Sequence, residues 1–299
     1  MLSVDLCVMG AGSGGLTVAA GASQMGATVA LVERDRMGGD CLNYGCVPSK
    51  ALLAAANAAE AMRQAGRLGI ERHEPRIDFA QVMAHVQGVI EAIAPHDSQE
   101  RFEGLGVRVV RAEARFVARN RIEAGGETIQ AKRFVIATGS APLVPPVPGL
   151  AETPYLTNET VFANERRPQH LIVVGGGPVG LEMAQAHRRL GAMVTVIEQK
   201  TVLPKDDPEL VDVVRAEMLA EGIVLLEEAE VTRADPATGG VVVTVRRAGA
   251  ERKIAGSHLL VAAGRKPNVD GLNLEAAGVA FGPKGVATDR RLRTSNRRS

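Results

Sequence analysis

Val8-Met9-Gly10-Ala11-Gly12-Ser13-Gly14-Gly15 decides the fold, because it returns 165 residues later as Val173-Val174-Gly175-Gly176-Gly177-Pro178-Val179-Gly180. The match extends outward from the glycines: Gly26-Ala27 aligns with Gly191-Ala192, Val29 with Val194, and Glu33 with Glu198. Each copy reads as an apolar strand, a Gly-rich turn, a helix, a second strand and a terminal carboxylate. The residue types follow from the chemistry of a dinucleotide site. The first glycine (Gly10, Gly175) permits the sharp turn, and the second (Gly12, Gly177) lets backbone approach a pyrophosphate. The third (Gly15, Gly180) lets the helix pack against its strand. The helix N-terminus then offers unpaired N–H groups and the positive end of its dipole to the phosphates. In both copies the acid stands 23 positions after the first glycine, near the spacing of about 20 expected of a ribose-diol ligand. One Gly-rich turn alone is as often a tight strand–helix connection, but two in one register predict two dinucleotide sites.

At 299 residues the chain exceeds one ordinary core, so two domains are expected. Apolar content of 45% with 23% charged residues marks a globular protein. The net charge of +1 gives no bulk field for nucleic acid or an anionic membrane. The basic end, Arg290-Arg291-Leu292-Arg293 through Arg297-Arg298, reads as a solvated tail. No apolar run is long enough to span a bilayer, and no basic region precedes an apolar one at the N-terminus, so no signal peptide is expected. Three cysteines are too few and too odd for a secreted disulfide scaffold. A reducing, cytoplasmic setting is therefore expected.

Between the repeats, 49–66 is Ala-rich and reads as a helix, and 79–105 as helical with a break near Pro95. Short alternating stretches over 107–137 read as strands and hairpins. The run Ala141-Pro142-Leu143-Val144-Pro145-Pro146-Val147-Pro148-Gly149 suits neither a helix nor a central strand, so it reads as a linker. Leu259-Leu260-Val261-Ala262-Ala263-Gly264 reads as the closing strand of the second domain. The fold class expected is α/β with two Rossmann-like domains, the second inserted in the first. The first domain would cover 1–149, the second 150–264, and 265–299 would return to the first.

Seven residues past Glu33 begins the run Asp40-Cys41-Leu42-Asn43-Tyr44-Gly45-Cys46-Val47-Pro48-Ser49-Lys50. Cysteines five apart can close a small disulfide loop if the chain between them bends, and Gly45 and Pro48 favour bending. A helix is expected just after Cys46, with Pro48 or Ser49 as its start. A thiol at such a helix start, near a lysine, has a lowered pKa. Cys7, inside the first strand, reads as a small buried hydrophobe. Half a metal site is the alternative for the pair, but the six histidines are scattered without H-x3-5-H spacing, so no metal centre is expected. A dithiol and a nicotinamide each exchange two electrons, and a flavin can stand between them. Two dinucleotide sites with one dithiol thus suggest a relay from a nicotinamide through a flavin to the Cys41–Cys46 disulfide and an external substrate.

The motif G-G-x-C-x-N-x-G-C-V-P-S-K, here Gly38 to Lys50, resembles the class I pyridine nucleotide–disulfide oxidoreductases. These include dihydrolipoamide dehydrogenase, glutathione reductase and mercuric reductase. Ala137-Thr138-Gly139-Ser140, Gly264-Arg265-Lys266-Pro267-Asn268 and Thr288-Asp289-Arg290 are further marks of the family. The resemblance implies FAD at the first site, with Gly39, Thr138, Gly139 and Gly264 among the cofactor-binding positions, and NAD(P)H at the second. It implies that Cys46 faces the flavin as thiolate and that Cys41 meets the substrate. Lys50 would sit near the flavin and pair with Glu182. The substrate would be a small dithiol or disulfide, as for dihydrolipoamide, or a metal ion, as for mercuric reductase. Glu198 favours NADH, since a carboxylate repels a 2′-phosphate, while Lys200 leaves NADPH open.

Departures from the family are Asp40 where threonine is usual, Tyr44 where valine is common, and Pro178 in place of a tyrosine that gates the nicotinamide pocket. By the same resemblance, Ser299 precedes a last flavin-contacting strand and a dimerisation domain carrying a His–Glu acid–base pair. A chain ending there is expected to hold FAD weakly and to turn over a thiol substrate poorly, and the parent protein is expected to be a homodimer. A non-catalytic nucleotide-binding module is the reading of another class.

Overall fold

A computed structural model describes residues 1–299. In chain order the first elements are β1 (Leu2–Met9), α1 (Ser13–Gln24), β2 (Val29–Glu33), α2 (Gly39–Asn43), α3 (Cys46–Gln64), α4 (Phe79–Ile93) and α5 (Gln99–Gly104). There follow β3 (Arg108–Arg111), β4 (Ala114–Ala118), β5 (Arg121–Ala124), β6 (Glu127–Ile136), β7 (Ser140–Pro142), β8 (His170–Val174), α6 (Pro178–Arg189) and β9 (Met193–Ile197). The rest are α7 (Pro208–Ala220), β10 (Val224–Leu226), β11 (Ala229–Ala237), β12 (Gly240–Arg247), β13 (Ala250–Gly256), β14 (His258–Val261), β15 (Arg265–Pro267) and α8 (Leu274–Ala277). A short hairpin, Phe281–Gly282 with Gly285–Val286, comes after α8.

The chain divides into two compact units. One comprises Met1–Val47, Ile90–Ala141 and Arg265–Ser299, the other Pro48–Val89 and Pro142–Gly264. The divisions at 141/142 and 264/265 fall in the proline-rich run and just after the second domain's closing strand. The helical segment 48–89 groups with the second unit.

The first unit holds a six-stranded sheet in the order β3-β2-β1-β6-β5-β4, parallel through β6 and antiparallel beyond it. Its parallel strands are apolar on both faces, as a sheet covered on both sides requires. Val8 and Leu31 pack with Leu16, Ala19 and Phe102 on one face, and Cys7, Met9 and Ala30 with Phe116 and Phe134 on the other. The Phe116 and Phe134 rings meet edge-on at 5.2 Å, worth about 0.5–1.5 kcal/mol beyond the area they bury. Cys7 has no solvent exposure and sits in the central strand of this sheet, as the sequence predicted.

The second unit holds a parallel sheet, β10-β9-β8-β14, and an antiparallel one, β11-β12-β13. The sequence repeat is carried into the strand register. Leu6 pairs with Val29 and Leu171 with Val194, and the pairing continues in step to Met9–Val32 and Val174–Ile197. The strands β3, β2, β1 and β6 thus have their counterparts in β10, β9, β8 and β14.

Two expectations change. Helix α3 starts at Cys46, two residues before Pro48, and Pro48 fits within its first turn because N–H groups there have no intrahelical partner. The basic tail is not a free solvated end. Asn296 is buried and donates from its side-chain amide to the Arg119 carbonyl, and the Phe134 amide donates to the Arg298 carbonyl at 2.6 Å, so the backbone docks while the arginine side chains stay exposed. No helix is long and apolar enough to cross a membrane.

Candidate functional site

The turns after β1 and β8 share one construction. Gly10 (φ +105°) and Gly175 (φ +115°) take a backbone conformation closed to L side chains, and a Cβ on either would lie 2.3 Å from the carbonyl oxygen of Ala137 or Ala262. A Cβ on Gly15 or Gly180 would lie 1.8 or 2.0 Å from the Gly10 or Gly175 oxygen. The first and third glycines are therefore fixed by the fold itself. Gly177 differs: a Cβ there would meet nothing within 4 Å, and one on Gly12 only Gly39 Cα at 3.9 Å. These positions border open space at the start of α1 and α6. Neither helix has a side-chain cap, whereas α5 is capped by Ser98 and α7 by Asp207. The leading N–H groups of α1 and α6 thus stand ready for an anion. Pro178 occupies the first turn of α6, where its fixed φ suits a helix start.

The two acids are held alike. Glu33 accepts from the amides of Ala11 (2.6 Å) and Asp35 (2.8 Å), and Glu198 from those of Gly176 (2.7 Å) and Lys200 (2.9 Å). Each carboxylate is presented at the C-terminal end of its strand beside the Gly-rich turn, where a ribose diol is bound in this fold. In the first unit a cavity beside this turn is lined by Gly10, Glu33, Thr138, Asn268 and Asp270. Thr138 and Asn268 bind reciprocally, Thr138 Oγ1 donating to the Asn268 carbonyl at 2.7 Å and Asn268 Nδ2 to the Thr138 carbonyl at 2.9 Å. Asn268 and Asp270 were not singled out as ligands from the sequence. The open second glycine, uncapped helix and oriented acid fit a dinucleotide such as FAD.

After β2 the chain folds back over the first turn. Gly38 donates to the Ala11 carbonyl at 3.0 Å, and Gly39 crosses Gly12 so closely that a Cβ on it would lie 2.6 Å from Gly12 Cα. That crossing brings α2, and Cys41 with it, to the first Gly-rich turn. Asn43 closes α2 by donating to the carbonyls of Met37 and Gly39. Cys41 and Cys46 are thiols hydrogen-bonded to each other, Cys41 half-buried and Cys46 exposed at the head of α3. Burial, and then the neighbouring Cys46, push the Cys41 thiol up to about 11. Burial alone raises the Cys7 thiol to about 12.

Asp40, the departure beside Cys41, packs over Gly45 and forms a 3.3 Å ion pair with Arg265. Arg265 in turn donates to the Ser140 hydroxyl at 2.7 Å. The atypical acid is thereby matched by a guanidinium from β15, a partner that no local pattern reveals.

In the second unit Lys50 and Glu182 form an ion pair, as the resemblance implied. Gly264 (φ +140°) accepts from the Leu143 amide at 2.9 Å, and so ties off the linker. A cavity of about 560 Å³ opens beside Gly175 and Glu198 and is bounded also by Gln199, Glu230 and Arg246. Sequence reasoning missed Glu230 and Arg246, because the antiparallel sheet that brings them to the cavity lies far along the chain. With Gly177 open and Glu198 oriented, this cavity fits a second dinucleotide. No group of His, Cys, Asp or Glu is arranged to hold a metal ion.

Residues 4–298 match the family model described as pyridine nucleotide-disulphide oxidoreductase. The chain is 35% identical to a mercuric reductase of Streptomyces lividans over 98% of its own length and 64% of that protein's. It is also 35% identical to a dihydrolipoyl dehydrogenase of Thermus scotoductus, over 99% and 64% of the two chains. Among solved structures, the HOCl-induced flavoprotein disulfide reductase RclA from Escherichia coli superposes with a TM-score of 0.85 at 26% identity, over 98% of this chain and 64% of that one. The same protein has been solved as a Cu(II) complex, with a TM-score of 0.84. The chain thus spans less than two thirds of the length of these relatives.

Proposed function

The chain belongs to the pyridine nucleotide-disulphide oxidoreductase family, and from that premise we propose that it passes electrons from NAD(P)H through FAD to the Cys41–Cys46 pair and on to a small dithiol or disulfide substrate. Members of the family use FAD and NAD(P)H. The observation that carries the reading is the hydrogen-bonded Cys41–Cys46 dithiol, delivered by the crossing of Gly39 over Gly12 to the first dinucleotide turn. We assign residues 1–149 and 265–299 to the FAD-binding domain and 150–264 to the NAD(P)-binding domain.

When bound, the flavin supplies a two-electron carrier that takes a hydride from the nicotinamide and delivers electrons to sulfur. The chain's own residues bind, orient and exchange. Gly12 and the head of α1 receive one pyrophosphate, Gly177 and the head of α6 the other, while Glu33 and Glu198 accept from the riboses. Two electrons and two protons convert the Cys41–Cys46 S–S bond into two thiols. Cys46 stands exposed at the first position of α3, and we give it the flavin-facing role. Cys41 then attacks one sulfur of the substrate disulfide. The other substrate sulfur leaves as thiol, and Cys46 resolves the mixed disulfide, re-forming the Cys41–Cys46 bond. Lys50 and Glu182 form an ion pair, and we assign them supporting roles. Glu198 selects NADH. A dithiol of this kind suits a reducing, cytoplasmic setting, and membership of the family supports a homodimer.

A metal-ion substrate is the second reading. It is favoured by the identity to mercuric reductases, including that of Staphylococcus aureus at 34% over 98% of this chain.

The test is anaerobic titration with NADH of the chain reconstituted with FAD. A long-wavelength thiolate-to-flavin absorption band grows in with NADH for the parent chain, is already present before NADH in Cys41→Ser, and is absent for Cys46→Ser. Absence of the band in the parent chain with flavin bound would defeat the proposal.

A further inference from the structure

In the sequence, the segment after Glu198 offers no arginine for a 2′-phosphate; Gln199, Lys200 and Thr201 follow. The fold supplies one from elsewhere. Strands β11 and β12 set Glu230 opposite Arg246 across their ladder, and both residues line the cavity that holds Glu198. Arg246 Nη2 lies 2.5 Å from Glu230 Oε2, and the two side chains are 50% and 47% exposed. A guanidinium is a two-pronged donor that accepts a carboxylate or a phosphate in the same geometry. A half-exposed pair is held only weakly by its own attraction. Glu230 therefore occupies Arg246 without locking it.

We propose that Arg246 is a latent 2′-phosphate ligand masked by Glu230, and that this cross-strand pair acts with Glu198 to set NADH over NADPH. The inference rests on the second-unit cavity being the nicotinamide dinucleotide site. A 2′-phosphate adds a charge of about −1.5 to −2. With Glu198 and Glu230 both ionised, Arg246 leaves that end of the cavity with a net negative charge, so the phosphate is repelled. Neutralising Glu230 leaves one carboxylate and one freed guanidinium, and the fork turns from carboxylate to phosphate. The masking acid and the masked base are thus a specificity element separate from the strand-end acid.

The experiment is calorimetric titration of NAD+ and NADP+ into the full chain, into Glu230→Gln, and into the Glu230→Gln/Arg246→Gln double variant. The reading is the ratio of the two dissociation constants within each protein, so a general loss of affinity cancels. The parent chain favours NAD+. In Glu230→Gln the ratio moves toward NADP+ by about tenfold or more, the factor that one charge-assisted hydrogen bond provides. In the double variant it returns to the parent value. An unchanged ratio in Glu230→Gln, with NAD+ still bound by the parent chain, overturns the masking pair and leaves the dinucleotide site standing. A shift that survives in the double variant overturns the role of Arg246. Binding of neither dinucleotide by any of the three overturns the site and the pair together.

Discussion

At the scale of single residues, the two thiols of the Cys41–Cys46 pair are not equivalent, and their difference is measurable. Cys41 is half-buried with its thiol raised to about 11 by burial and by Cys46. Only the thiolate alkylates, so iodoacetamide should modify Cys41 slowly near neutral pH, with a rate that climbs through the alkaline range. Because Cys46 is among the causes that raise it, Cys46→Ser should bring the Cys41 profile to lower pH. Mass spectrometry of the modified peptide against pH checks this, and an unmoved profile in Cys46→Ser would contradict it. The cysteines themselves were plain in the sequence, since five positions separate them and the motif around them is specific. Their charged surroundings were not. Asp40 stood out as an unusual neighbour, but its partner Arg265 lies more than two hundred positions away, and long-range ion pairs leave no periodic trace. The same reason hid Arg246.

At the scale of the turn and its helix, glycines that look alike in the sequence divide by what surrounds them. Gly180→Ala drives a Cβ into the Gly175 carbonyl oxygen and should destabilise the second unit by about 3 kcal/mol, the upper end of overpacking. Gly177→Ala has open space around it and φ near −77°. It should change stability by no more than about 1 kcal/mol, yet weaken NAD+ by about tenfold or more, because backbone can no longer reach a pyrophosphate. Thermal melts and calorimetric titration separate the two outcomes, and a Gly177→Ala chain that binds NAD+ normally would argue against the second dinucleotide site. The elements around these turns were legible because the repeat fixes period, turn and terminal acid at once, and its offset is kept in the strand register. The start of α3 was placed two residues late because Pro48 looked like a boundary, whereas a proline is tolerated anywhere in a first turn.

At the scale of the whole molecule, one buried base should make the second unit acid-sensitive. His187 on α6 is 1% exposed, its Nδ1 is hydrogen-bonded to the Met183 carbonyl, and its ring lies 5.9 Å from Phe79. Burial pushes it down to about 4, from an ordinary value of 6.5. The unfolded chain therefore binds the proton first, and stability present above about pH 6.5 is lost as pH falls toward 4. His258, also lowered by burial, adds to the same trend. Hydrogen exchange across this range should show the second unit opening more readily as acid is added, with a shallower dependence in His187→Gln. An identical dependence in that variant would assign the effect elsewhere. None of this was visible in the sequence, where His187 was one scattered histidine among six. Burial belongs to packing between helices, not to local pattern.

The remaining cysteine gives the molecule a use of its own. Cys7 lies sealed in the central strand of the first unit, with its thiol raised to about 12. A reduced native chain therefore accepts two alkyl adducts, and a third appears only when that strand leaves its sheet. The arrival of the third mass increment is a built-in clock for opening of the first unit, read without any mutation.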